Sequence, residues 1–171
     1  MIESLEFLYN GGRTKRFHCF DMNAPQNVAE HSFYVAGLCL LMYSEGEVEN
    51  ARLGKLIAAA VVHDLAEHKT GDVQSPAKRR NPELKEILDN LEDDYLKESD
   101  LFIQLGIEDK RRLKMADNLD GLMTCVRERR LGNQSVEEIY VNYRANVTKL
   151  NPEGKEREIF FAIMNMWEDS I

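Results

Sequence analysis

An apolar run from Leu56 to Leu65 constrains the fold of this chain more than any other feature. The run reads Leu-Ile-Ala-Ala-Ala-Val-Val-His-Asp-Leu, so a helix over residues 50–67 is apolar on nearly every side. Such a helix is typical of the buried centre of a helical bundle. His63 and Asp64 lie inside this run, where a polar side chain without a partner loses its hydration. The sequence therefore predicts a central helix whose polar residues share a partner.

Helical patterns cover almost all of the remaining chain. Gly11-Gly12 is a helix stop signal, Asn27 with Glu30 forms a capping-box pattern, and Asn81-Pro82 places proline in a first helical turn. Strand-like alternation and internal repeats are absent from the sequence. We predict an all-α fold, a single helical-bundle domain over residues 1–171. The predicted helices span residues 2–9, 27–44, 50–67, 82–97, 100–105, 108–131, 135–149 and 152–169.

Composition limits the class of protein. The 171 residues are long enough to bury a core, and no apolar run approaches the length that crosses a bilayer. Cysteines at positions 19, 39 and 125 form no Cys-x-x-Cys pair, which favours a reducing compartment, and we expect the cytoplasm. A net charge of −8 argues against stable nucleic-acid binding, because that affinity comes from neutralising phosphates.

Four polar residues are candidates for a metal site. His63 and Asp64 lie near the end of the apolar run, His31 lies near the start of the second predicted helix, and Asp117 lies in the middle of the 108–131 helix. Imidazole and carboxylate ligands without a thiolate suit zinc, manganese, iron or cobalt, and the mixed set is typical of an open catalytic site. Glu67 is four residues beyond His63, so we expect both on one helical face.

Two basic clusters flank these candidate metal segments. Each cluster alone is typical of a solvated surface, but the position beside the metal segments favours phosphate recognition. Arginine offers phosphate a bidentate fork, whereas lysine acts as a point charge. The clusters comprise Arg13, Lys15 and Arg16, and Lys78, Arg79 and Arg80.

The order of these motifs resembles a known family. His31, His63-Asp64 and Asp117 occur in the order found in HD-domain metal-dependent phosphohydrolases. The segment 27–32, Asn-Val-Ala-Glu-His-Ser, and the segment 63–73, which begins His-Asp-Leu-Ala-Glu-His, are similar to the YfbR-like 5'-deoxynucleotidase branch. A compact chain and the segment Ser-Pro-Ala-Lys at 75–78 resemble the small phage dATP triphosphohydrolases of that branch.

The resemblance implies a role for each matched residue. A divalent ion, which we expect to be zinc, cobalt or manganese, would have four ligands. The implied ligands are His31, His63, Asp64 and Asp117. Two carboxylates would serve acid-base catalysis and water positioning, namely Glu67 and Asp72. Implied substrate contacts are Arg16 to phosphate, Phe17 to the sugar or base, Pro76 to the base and Lys78 to the outer phosphates. Phe17 stands where the family has tryptophan, and Cys19 where it has a larger aliphatic residue, so the base preference stays open.

The resemblance implies a deoxynucleotide phosphohydrolase. The preferred interpretation is a dATP triphosphohydrolase of phage deoxynucleotide metabolism, which releases deoxyadenosine and triphosphate. The alternative is a 5'-deoxynucleotidase that releases phosphate from a deoxynucleoside monophosphate. We expect a deoxynucleotide partner, no membrane partner and a homo-oligomer, either a dimer or a hexamer. Two other classes are a non-catalytic nucleotide-binding HD regulator and an adaptor bundle with a structural metal. The catalytic carboxylates argue against the first, and the ligand set argues against the second.

Overall fold

Helices form nearly all of the regular structure. The computed structural model describes residues 1–44, 50–73 and 75–170, and it describes the backbone but not the side chains of Ser75 and Pro76. Within these ranges no strand forms, so the predicted all-α class is confirmed. The helices are α1 (Ile2–Gly12), α2 (Val28–Tyr43), α3 (Asn50–Val62), α4 (Glu67–Thr70), α5 (Ser75–Arg80), α6 (Pro82–Glu98), α7 (Ile107–Arg130), α8 (Glu137–Lys149) and α9 (Gly154–Glu168), with a 3₁₀ turn at Gln134–Val136 before α8.

Side-chain caps define two helix starts as the sequence predicted. Asn27 accepts a hydrogen bond from the Glu30 backbone N–H at 2.9 Å, and Glu30 accepts the Asn27 N–H at 3.0 Å. This reciprocal capping box satisfies amide groups that have no partner inside the helix. Asn81 accepts the Leu84 N–H at 3.1 Å, with Pro82 in the first turn of α6. The start of α2 is therefore held rigidly four residues before His31.

The predicted helix over residues 50–67 is wrong in its second half. Helix α3 ends at Val62, and residues 63–66 form a turn before α4. His63 Nδ1 lies 2.8 Å from the Ala60 carbonyl oxygen. This bond occupies an acceptor that a continuing helix would offer to the backbone N–H four residues later. The imidazole therefore helps to end the helix. Val61 is 42% exposed, although we expected the apolar residues on nearly every side of this helix to be buried.

Two short segments also differ from prediction. Residues 101–106 are not helical, although a helix was expected over 100–105. Asp100 takes a positive φ of 59°, and the Leu101 N–H returns to the Leu96 carbonyl, which closes α6 just before the segment. A segment this short forms too few hydrogen bonds to offset the free-energy cost of helix nucleation. Its apolar side chains therefore pack without regular secondary structure. Conversely, the segment Ser75–Arg80 is helical, where the sequence analysis placed no helix.

The core lies where α7 packs against α2, α3, α8 and α9. Helix α7 is buried continuously from Met115 to Leu122, so it is more central than α3. Gly121 permits the close approach of α8, because a Cβ there would lie only 2.4 Å from the Tyr143 ring. The charged residues inside this buried stretch, Asp117 and Asp120, are thus presented to the interior and not to solvent.

A smaller apolar cluster joins α1, the turn after α3 and α6. Among the described residues, no helix is long and apolar enough to cross a membrane. All three cysteines are free, and Cys39 and Cys125 are buried while Cys19 is exposed. Burial raises the pKa of the Cys39 and Cys125 thiols to about 12, so neither is reactive at neutral pH.

Candidate metal centre

The four predicted ligands come from three parts of the chain and meet in the interior. His31 lies in the first turns of α2 and is fully buried, and Asp117 projects from the middle of α7. His63 and Asp64 lie in the turn that follows α3. Helix α3 ends at Val62, before His63, and Glu67 is the first residue of α4. His63 and Glu67 therefore do not lie on one helical face, and this prediction is wrong. The turn nevertheless places His63 and Asp64 beside His31 of α2.

The ligand atoms are spaced as they would be around one ion. His31 Nε2 lies 3.3 Å from His63 Nε2, 3.3 Å from an Asp64 carboxylate oxygen and 3.4 Å from an Asp117 carboxylate oxygen. An ion bound at about 2.0–2.2 Å holds neighbouring ligand atoms roughly 3–3.4 Å apart. His31, His63 and Asp117 form a group whose ligand atoms all lie within 4.8 Å of one another. The donor set therefore fits a divalent ion.

The outer ring nitrogens fix which atom of each imidazole faces the centre. His31 Nδ1 lies 2.6 Å from the Asp120 carboxylate, and His63 Nδ1 lies 2.8 Å from the Ala60 carbonyl. Both partners are acceptors, so both Nδ1 atoms donate a proton. The two Nε2 atoms then face each other across 3.3 Å, and the pair needs a positive charge, either a proton on His31 or a metal ion. Outer-sphere partners of this kind are usual for histidine ligands of metals.

The pKa shifts point to the same need for positive charge. Burial, followed by the charge of Arg16, acts to lower the pKa of His31, but hydrogen bonds to the surrounding carboxylates raise it to about 10. Burial would raise the pKa of Asp64, yet His63, His31 and Arg16 hold it well below its usual range. Burial lowers the pKa of His63, so its imidazole is neutral and able to act as a ligand. The carboxylates around the imidazoles thus favour positive charge at the centre.

Arg16 is built into the edge of this centre. Its guanidinium forms an ion pair with Asp64 and lies 3.9 Å from an Asp117 oxygen. Residues 14–17 form a strap across the start of α2, because the Arg16 N–H donates to the Gln26 carbonyl at 2.9 Å and the Val28 N–H donates to the Thr14 carbonyl. Arg16 is buried, and although burial opposes it, the charge of Asp64 raises its pKa.

Phe17 and Asp72 fasten the end of this strap. Phe17 has a positive φ of 57°, which is costly for an aromatic residue. Its N–H donates to the Asp72 carboxylate at 3.1 Å, and its buried ring meets Tyr143 edge to face at 6.3 Å. The backbone bond supports the unusual conformation. Asp72 thus contacts the strap beside Arg16, and the Phe17 ring is part of the core.

Glu67 lies near the centre with its carboxyl group buried. It is the first residue of α4, and its N–H donates to the Asp64 carbonyl at 3.1 Å. Its Oε2 atom is enclosed and has no hydrogen-bond partner among the described residues. Burial, and then the charge of Asp64, raises the pKa of Glu67 to about 9. This carboxyl group is therefore protonated at neutral pH and able to donate a proton.

Lys78 lies in α5 on the Glu67 side of the molecule. Its charge lowers the pKa of both Glu67 and Glu92, although burial dominates and raises both values. Glu92 accepts a hydrogen bond from the Thr70 hydroxyl at 3.0 Å. The structure therefore brings Lys78 within electrostatic reach of the centre. The predicted contact of the Pro76 side chain lies outside the described residues.

The sequence analysis missed three residues that support the site. Asp120 holds His31, the Gln26 side chain donates to Asp120 at 3.1 Å, and Lys114 donates to Asp117 at 2.6 Å. One signal was available for Asp120. It lies three residues after Asp117, so both carboxylates occupy one face of a helix. No periodicity could identify Gln26, which lies in an irregular segment.

A helical bundle with a buried histidine–aspartate centre defines the HD-domain class of phosphohydrolases. The chain belongs to the YfbR-like 5'-deoxynucleotidase family, whose model matches residues 6–166. The dATP triphosphohydrolase of cyanophage S-2L is 33% identical over 100 residues, which cover 58% of this chain and 56% of that relative. A 5'-deoxynucleotidase of Vibrio parahaemolyticus, VP0926, is 26% identical over 158 residues, covering 80% of this chain and 79% of that relative. Relatives of both activities are thus present.

Solved structures share the fold. The cyanophage S-2L HD phosphohydrolase DatZ, bound to dA and one catalytic Zn²⁺ ion, superposes with a TM-score of 0.71 at 22% identity, covering 99% of this chain and 96% of that one. An HD-domain phosphohydrolase from Listeria innocua superposes with a TM-score of 0.78 at 21% identity, covering 98% and 89%. At these identities the likeness establishes the bundle architecture.

Proposed function

We propose that this chain hydrolyses the 5'-phosphate ester of a deoxynucleotide at a divalent ion held by His31, His63, Asp64 and Asp117. The observation that carries the proposal is the pair of Nε2 atoms of His31 and His63 that face each other beside two carboxylates. The family supports the reaction class. The Zn²⁺ ion of the cyanophage structure supports zinc, with cobalt and manganese as alternatives of similar ligand preference.

The proposed mechanism assigns proton transfer to Glu67. When bound, a divalent ion polarises a phosphoryl oxygen and lowers the pKa of a water molecule. Glu67, protonated through burial, gives its proton to the leaving 5' oxygen and regains one from the attacking water. Arg16 balances charge that gathers on the phosphate oxygens. Asp72 holds the strap that carries Arg16 and helps to position the attacking water.

Our preferred substrate is dATP, cut with release of triphosphate. Two observations support it: the relative with the higher identity acts on dATP, and Lys78 lies within electrostatic reach of Glu67. A triphosphate extends its outer phosphates beyond the ligands, where a lysine serves as a point charge. The 5'-deoxynucleotidase activity is the second candidate. The Vibrio relative supports it, because that match spans four-fifths of this chain.

Product analysis tests the proposal. The purified protein is incubated with each dNMP and dNTP in the presence of zinc, cobalt or manganese, and phosphate, pyrophosphate and triphosphate are resolved. Triphosphate from dATP supports the preferred substrate. Turnover of dAMP far above that of dATP would replace it with the nucleotidase activity. Absence of turnover with every nucleotide would overturn the hydrolase proposal in favour of a regulator.

Removal of the metal tests the structural-metal alternative. An adaptor bundle with a structural metal would unfold when a chelator removes the ion. We expect the chelated protein to keep its helical circular dichroism while it loses activity, because the core of α2, α7, α8 and α9 does not depend on the ligands. We further propose a cytoplasmic homo-oligomer, a dimer or a hexamer, with no stable nucleic-acid or membrane partner.

A further inference from the structure

Helix α2 is apolar on its outer face as well as its inner face. Its sequence, VAEHSFYVAGLCLLMY, contains one carboxylate and one buried histidine as its charged-type residues. Phe33 is 71% exposed and Leu41 is 63% exposed, and Tyr34 and Leu40 are also exposed. A helix that is hydrophobic all round belongs in an interior. The described part of the chain covers only one side of α2, so its other side requires a partner.

Two hollows flank Phe33 on this face. The smaller, of about 350 Å³, lies between α2 and α7, and the larger, of about 640 Å³, lies between α2, α1 and the end of α3. Phe33 lines both. The apolar residues around the smaller hollow are Tyr34, Leu38, Leu41 and Met123, and those around the larger are Leu8, Tyr9, Ala36, Val61 and Leu65. We call this continuous surface the α2 face.

The exposed area of the α2 face is large for a monomer. From the exposed fractions of its aromatic and aliphatic side chains, and with roughly 150–250 Å² per aromatic side chain, it amounts to on the order of 500 Å². The largest patch of a typical monomer is roughly 300–600 Å². A standard interface takes about 800 Å² from each partner. The α2 face alone thus supplies most of the area that a stable dimer needs.

We propose that the α2 face is the interface between two copies of this chain. A two-fold axis brings the same patch of both copies together, so a self-pairing patch needs a projection and a matching recess. Phe33 is the projection, and the hollows beside it are the recess. Charge supports a second copy as the occupant. The chain carries a net charge of −8, and copies that repel one another associate best through a face nearly free of carboxylates.

Sedimentation of the metal-loaded protein tests the proposal. The variants are Phe33→Asp and Leu41→Asp, which place a carboxylate in the proposed interface on each copy. The matched control is Ile107→Asp, at an apolar residue that is 92% exposed at the start of α7 and lines neither hollow. We expect the wild type and the control to associate, and the two α2 variants to show at least about a tenfold weaker association.

The outcomes separate clearly. A larger wild-type assembly that falls into smaller species with Phe33→Asp also supports the interface. A wild type that is monomeric over the whole concentration range overturns it, and so does a Phe33→Asp variant that associates as tightly as the control. Circular dichroism of each variant establishes that the helices are retained.

Cross-linking covers the case in which the aspartate variants do not fold. In a Cys19→Ser background, which removes the exposed thiol, Phe33→Cys is compared with Ile107→Cys under mild oxidation. We expect the position 33 variant to form an intermolecular disulfide much faster than the position 107 variant. Equal rates, set by random collision, would contradict an interface at α2.

Discussion

Two buried polar clusters of this chain differ in how their charges are met. Around Glu156, one carboxylate oxygen accepts from the Tyr43 hydroxyl at 2.7 Å and from Arg111 at 2.6 Å, and the other accepts from Arg111 at 3.2 Å. Each acceptor faces a donor. The cluster around His31 differs, because several acceptors surround one atom. His63 Nε2 and one carboxylate oxygen each of Asp64 and Asp117 lie within 3.4 Å of His31 Nε2.

The difference shows that burial of charge does not by itself mark a functional site. A paired cluster such as that of Glu156 is complete and joins α2, α7 and α9. A cluster with more acceptors than donors attracts a cation. Removing one partner from the first should cost stability, and removing one ligand from the second should cost metal and activity.

The largest expected effect is the loss of a ligand. His63→Ala and Asp64→Ala should each abolish activity and lower the bound metal, because each removes a donor from the inner set. Metal content by mass spectrometry and turnover of dATP and dAMP measure this. Full activity in metal-replete Asp64→Ala protein would remove Asp64 from the site and break the contrast between the clusters.

Glu67→Gln separates metal binding from proton transfer. It keeps the shape of the buried side chain but cannot exchange a proton, so turnover should fall by about 10²-fold or more while the metal stays bound. The measurements are kcat and metal content of the same preparation. Loss of the metal in Glu67→Gln would make Glu67 a ligand and extend the inner set beyond four residues.

Asp120→Asn tests whether metal binding depends on the carboxylate that orients His31 from outside the four predicted ligands. The amide can no longer hold the His31 Nδ1–H as a charged acceptor, so the metal should bind about 10–100-fold more weakly. Competition with a chelator gives the affinity, and Asn118→Ala on the same helix serves as the control. An affinity equal to that of the wild type would show that His31 does not depend on Asp120.

Lys78→Ala tests whether the substrate site extends from the predicted metal ligands to α5. If the substrate is dATP, the KM for dATP should rise by a factor that corresponds to a binding free energy of about 1.5 kcal/mol or more, the scale of a charged hydrogen bond. Hydrolysis of dAMP should change much less, because a monophosphate would be held by the metal and Arg16. Arg80→Ala, in the same helix, is the comparison. Equal effects on both nucleotides would place Lys78 away from the outer phosphates.

The Glu156 cluster should give the smallest effect on activity. Glu156→Ala leaves the buried Tyr43 hydroxyl without its acceptor, while Arg111 keeps Glu108 and the Leu150 carbonyl, and an unsatisfied buried group costs about 1–3 kcal/mol of stability. The melting temperature should fall while kcat per folded molecule and metal content stay as in the wild type. A large loss of kcat in a folded Glu156 variant would contradict the division between the two clusters.

The sequence predicted which polar residues come together better than it predicted their local structure. His31, His63, Asp64 and Asp117 meet as expected, because polar side chains in apolar helical surroundings can be found from composition and spacing. The end of α3 was missed, since it depends on a side chain, His63, that competes for the Ala60 carbonyl. Periodicity reports the preference of the backbone and does not report such a competition.

Long-range pairings were beyond prediction for a different reason. The ion pair of Arg16 with Asp64 joins residues 48 positions apart through a strap without periodicity. The bond from the Phe17 N–H to Asp72 requires a positive φ that no sequence pattern around an aromatic residue announces. Family resemblance named Arg16 and Asp72 as site residues, but only the packed structure shows that they hold a common segment.

Gln26 gives the two sides of the centre a shared support. Its backbone carbonyl holds the Arg16 N–H at 2.9 Å, and its side chain donates to Asp120 at 3.1 Å, which in turn orients His31. A displacement of this one residue therefore moves Arg16 and His31 together. Variants at Gln26 and Asp120 should show non-additive free energies in a double-mutant cycle. If Arg16 contacts the substrate and His31 the metal as proposed, a substitution at Gln26 should change substrate binding and metal binding together.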